Sequence, residues 1–61
     1  MSTRYGDWKG AQGKAYRLWK TDKGYEVEIV WGGYGVIYRA DTVRDCKRFL
    51  KNECGAKRIV H

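Results

Sequence analysis

Bulky and polar residues alternate at period two from Tyr25 to Trp31, Tyr-Glu-Val-Glu-Ile-Val-Trp, which is the pattern of a strand with one buried face. Tyr25, Val27, Ile29 and Trp31 are expected on one side and Glu26, Glu28 and Val30 on the other. Alternation recurs from Lys14 to Lys20, with Tyr16 and Leu18 opposite Ala15, Arg17 and Trp19. It recurs again from Val36 to Ala40, with Val36 and Tyr38 opposite Ile37 and Arg39. Thr21-Asp22-Lys23-Gly24 supplies a turn between the first two runs, and Gly32-Gly33-Tyr34-Gly35 a turn or bulged bend before the third. The pattern then changes period. Val43, Cys46, Leu50 and Cys54 fall within one stripe at 100° per residue, with Phe49 at its margin, after a Thr42…Asp45 start resembling a capping box. Gly55 is a ready stop for this helix.

The fold class expected is α+β: a three-stranded antiparallel meander with one C-terminal helix packed across one face. Ala56 to Val60 is half apolar and is expected to add a short fourth edge strand. Met1 to Gly13 mixes Gly, Ser, Thr and charge around the isolated aromatics Tyr5 and Trp8 with no period. It reads as a flexible N-terminal arm, leaving residues 14–61 as the single domain.

With 61 residues, a chain buries only about 60% of the surface it exposes unfolded, so almost every apolar side chain is needed for the core. An aromatic fraction of 15% helps, because aromatic rings bury much area per residue. No run suits a signal peptide or a membrane span of roughly 20 apolar residues, and a cytoplasmic protein is expected. Cys46 and Cys54, eight residues apart on a helix, would sit about 12 Å apart. A disulfide needs about 7 Å or less, so free thiols are expected.

Thirteen Lys and Arg against seven Asp and Glu give a net charge of +6. That balance points to a polyanion, an anionic surface or an acidic protein as partner. The chemical inventory suits binding and not catalysis, since the single His61 is the last residue and has no acid or base placed beside it. Two cysteines and that histidine lack the close-paired spacing of a zinc site, so neither a metal nor another cofactor is expected.

Arg44, Lys47, Arg48 and Lys51 follow one another at i, i+3, i+4 and i+7 and put four cations on one flank of the helix. Like charges so spaced cost a few tenths of a kcal/mol each, and a polyanion would relieve that cost. Arg17, Trp19 and Arg39 are expected on the uncovered sheet face, where they would contact phosphate and a base or sugar. On the same face Glu26 and Glu28 allow an ordinary salt-bridged surface instead. These seven residues are the candidate nucleic-acid-binding set, with duplex DNA as the first expectation. The alternative is a phage or mobile-element inhibitor of an acidic or nucleic-acid-binding host protein, anchored by Trp19, Trp8 or Tyr34.

From Lys14 to Cys54, the meander, the Asp41-Thr42 helix start and the basic content resemble the DNA-binding domains of plant ethylene-response factors and the arm-binding domains of phage-type integrases. That resemblance implies an open sheet face entering the major groove through Arg17, Trp19 and Arg39. Trp31-Gly32 and Gly35 are also similar to the signature of the WGR domain, a DNA-binding module, with Gly33 where that family carries its arginine.

Overall fold

The computed structural model describes residues 2–60. Their secondary structure comprises β1 (Thr3–Lys9), a short 3-10 turn (Ala11–Gly13), β2 (Ala15–Thr21), β3 (Gly24–Trp31), β4 (Gly35–Ala40), α1 (Val43–Asn52) and β5 (Lys57–Arg58). All five strands form one antiparallel sheet in the order β4-β3-β2-β1-β5. The expected β2-β3-β4 meander and helix are present, but two strands are added on one side.

The expected flexible arm is where the structure differs most. Thr3–Lys9 pairs along β2, and Trp8, only 5% exposed, is a core residue. Its alternation is invisible in the sequence for two reasons. Tyr5 is an extra residue between the Arg4–Trp19 and Gly6–Leu18 pairs, and a glycine occupies the inward position that follows. Gly6 is there for space: a Cβ at this position would lie 3.1 Å from both the Trp8 ring and the Arg58 guanidinium. The expected edge strand near the C-terminus does form, as the two-residue β5 beside β1.

The helix covers the face predicted from β2 and β3. Leu18, Val27, Cys46 and Leu50 are fully buried between sheet and helix, and Tyr38 stacks on Phe49 with ring centroids 4.2 Å apart. Thr42 caps α1 by accepting a hydrogen bond from the Asp45 N–H at 3.3 Å. The helix ends at Asn52, short of the predicted Cys54; Gly55 turns the chain at φ +58°, and the Ala56 N–H returns to the Leu50 carbonyl at 2.9 Å. Both cysteines are free, Cys46 buried and Cys54 half-buried. Burial pushes the Cys46 thiol above its ordinary pKa, as expected of an inert core residue. Burial, with a hydrogen bond to Cys54, raises the Tyr16 phenol.

Two more register shifts change which side chains face out. Tyr16 pairs with Ile29 but Ala15 pairs with Trp31, so Val30 is the extra residue of a bulge. A bulge reverses the parity of everything beyond it. Trp31, expected beside Ile29 on the buried face, therefore shares the open face with Ala15 and is 70% exposed. In β4 the extra residue is Ile37: Val27 pairs with Tyr38 and Glu28 with Val36. Val36, expected inward, thus joins the open face.

Among the described residues no helix is long and apolar enough to cross a membrane.

Candidate nucleic-acid interface

Directly opposed residues of an antiparallel sheet project to the same side, so the register lays out the open face in rows. One row is Arg4, Trp19, Glu26 and Arg39; the next is Asp7, Arg17, Glu28 and Val36; the last is Lys57, Lys9, Ala15 and Trp31. The first two rows are closed upon themselves. Arg17 Nε donates to Asp7 Oδ1 at 2.9 Å, and Arg4 donates to the same carboxylate. Arg39 Nε donates to Glu26 Oε2 at 2.8 Å, and Trp19 Nε1 to Glu28 Oε1 at 2.9 Å. Asp7 therefore takes two arginines, Glu26 the third and Glu28 the indole, and the three arginines balance the three acids in charge. Arg17, Trp19 and Arg39 lie where the sequence placed them, but each is already bound to a neighbour, and the block carries no net charge. The whole excess of +6 resides on the rest of the molecule.

Asp7 is the hub of that block. Burial alone would raise its carboxyl, but the hydrogen bonds and charges of Arg4 and Arg17 outweigh burial and hold it below its ordinary 3.8. A carboxylate with a depressed folded-state pKa contributes stability above its unfolded value, and that contribution is lost as pH falls through the folded value. Asp7→Asn should therefore cost about 1–3 kcal/mol at neutral pH. The gap from wild type should close in acid, well below the usual carboxylate range. Urea melts at both pH values test this; a gap of equal size in acid would refute it.

The four helix cations share one flank of α1, spanning about 100° of its surface, but their neighbours differ from one side of that flank to the other. Arg48 lies beside Asp45, Glu53, Tyr38 and Phe49 on the β4 side, and Arg44 is exposed in the first turn. Lys47 and Lys51 lie on the side of that flank nearer β5. There they line an open groove with Trp8, Gly55, Ala56, Lys57 and Arg58. Four cations border this groove and no acid does. Among the described residues none of the four makes an ion pair within 4.0 Å.

Aromatic rings fix the geometry. The Arg58 guanidinium lies 5.3 Å from the Trp8 ring centroid and 5.2 Å from that of Tyr5, and donates to the Tyr5 carbonyl at 3.4 Å. Lys47 Nζ lies 5.3 Å from the Tyr5 ring, and Tyr5 is itself braced edge-on by Tyr25. Such contacts orient a cation without neutralising its charge. Lys57 and Arg58 were missed in the sequence because a two-residue strand carries no period. The adjacent Lys-Arg pair between Ala56 and Ile59 was the signal available.

No group of three or more His, Cys, Asp or Glu side chains is gathered for a metal among the described residues, and His61 lies outside them. Comparisons with protein-family models, curated proteins and solved structures find no match.

Proposed function

We propose that this protein is a non-enzymatic nucleic-acid-binding module, with duplex DNA as the first candidate ligand. Its phosphate-binding surface is the α1–β5 edge. The observation that carries the reading is the groove of Lys47, Lys51, Lys57 and Arg58, which has four cations and no bordering acid. Lys47 and Lys51 stand one helical turn apart, a like-charged pair that disfavours its own helix until an anion arrives. Arg58 lies over Trp8 and Tyr5, and its guanidinium is a planar donor set suited to a phosphate.

In the resembled DNA-binding families the open sheet face enters the groove. Here the Arg17, Trp19 and Arg39 part of that face is neutral and internally bonded, so the helix edge is the stronger site. Binding of a short duplex, followed by fluorescence anisotropy across a salt series, tests the reading. Four phosphate contacts predict a slope of log K against log salt of about −3.6. Salt-insensitive binding, or none at low salt, would reject it.

The competing reading is an inhibitor that docks on an acidic host protein. It draws on the exposed Trp31, Tyr34, Val36 and Ile37, which can serve as apolar anchors; Trp8 is buried and Trp19 is bonded to Glu28. A stoichiometric protein partner retained from nuclease-treated lysate would favour that class.

A further inference from the structure

The β3–β4 hairpin has a feature that phosphate binding at the helix edge does not use. Its tip exposes Trp31 at 70% and Tyr34 at 94%, in a domain small enough that solvent-facing rings forgo badly needed burial. The backbone is built to present them. Gly32 and Gly35 take φ +83° and +99°, and the Val30 bulge turns Trp31 to the open face. At Gly32 the hairpin presses against Lys14, where a Cβ would lie 2.8 Å from the Lys14 Cγ.

The surroundings are cationic. Lys57, Lys9, Ala15 and Trp31 form a continuous cross-strand row over β5, β1, β2 and β3. With strands about 4.8 Å apart, the row spans roughly 14 Å from Lys57 to Trp31. It contains no acid, and Lys57 belongs both to it and to the helix-edge groove. A ligand phosphate chain leaving that groove at Lys57 meets Lys9, and then Trp31.

We infer that the hairpin end of the sheet is a single-strand site. Trp31 and Tyr34 stack on unpaired bases while Lys9 and Lys57 hold the adjoining phosphates, so the preferred ligand is a duplex that runs out into a single strand. This rests on the proposed nucleic-acid reading of the α1–β5 edge. The chemistry is that of sequence-tolerant stacking on aromatic side chains beside a cationic track. Rings within a regular duplex offer it nothing, because their faces are already stacked on one another.

The test compares a blunt duplex with the same duplex carrying a thymidine tail, using wild type, Trp31→Ala and Tyr34→Ala. The tail should raise wild-type affinity about 10-fold and quench tryptophan fluorescence. Trp31→Ala should abolish both gains and leave blunt-duplex affinity within about 2-fold; Tyr34→Ala should remove part of the gain. Both side chains are solvent-facing, and unchanged circular dichroism verifies the fold. A tail that adds nothing, or a gain that survives both substitutions, overturns the single-strand site while salt-dependent binding of the blunt duplex leaves the helix-edge reading standing; the hairpin would then be left to a protein partner. Equal weakening of both ligands by Trp31→Ala also overturns it. Failure of the wild type to bind either ligand removes both readings.

Discussion

Replacing Trp8 with alanine should remove much of the protein's folding stability and lower its melting temperature sharply. Truncating a buried tryptophan costs about 3–5 kcal/mol, and a chain of 61 residues has only about 3–9 kcal/mol of stability in total. Trp8 is 5% exposed and belongs to the same core cluster as Leu18, Val27 and Leu50. It also supports β5, since the ring carries the Arg58 guanidinium and Trp8 pairs directly with Arg58 in the sheet. Thermal melts followed by circular dichroism give the answer. A wild-type transition in the alanine variant would return residues 3–9 to the status of a dispensable arm. Trp8→Phe keeps a ring in place and should fold, with a lowered melting temperature.

Neutralising Lys47, Lys51, Lys57 and Arg58 together by alanine should abolish the salt dependence of duplex binding. Each phosphate contact removed takes about 0.9 from the slope, so the expected value moves from about −3.6 towards zero. Affinity at moderate salt should fall roughly 100-fold or more. The fold should survive, because Lys51, Lys57 and Arg58 are exposed, Lys47 is half-buried, and a repelling i, i+4 lysine pair is removed. Arg39→Ala is the informative contrast. Its guanidinium already serves Glu26, so its loss should change duplex affinity by less than about 2-fold. If Arg39→Ala instead cost as much as the fourfold variant, the open sheet face would be the interface and the helix edge would not.

These expectations separate what local pattern encodes from what pairing decides. The β2–β3 hairpin was legible because Tyr16, Leu18, Val27 and Ile29 keep strict alternation through an unbroken register. The helix was legible because its cap, its apolar stripe and its glycine stop are all local signals. β1 was illegible because the Tyr5 bulge and an inward glycine erase its period. Trp31 and Val36 were placed on the wrong face for the related reason that a single inserted residue reverses the parity of those beyond it.

For the candidate site the division is similar. The helix cations could be counted from their spacing, but whether a charge is free or spent depends on what lies across the sheet. Arg17 finds Asp7 ten positions back in the chain, and Arg39 finds Glu26 thirteen positions back. Lys47 and Lys51 gain Lys57 and Arg58 only because β5 docks beside β1 rather than beside the meander.

The amino-acid sequence by itself determined the elements with an uninterrupted period, the inward faces of β2 and of β3 through Ile29, and the size of the charge excess. Tertiary structure alone decided that the N-terminal segment is core, that the open face cancels most of its own charge, and that four of the six surplus charges gather along one edge. Periodicity is a property of neighbours along the chain, whereas bulges, ion pairs and charge clusters are set by strand register. Register is fixed only when distant segments compete to bury the same apolar surface.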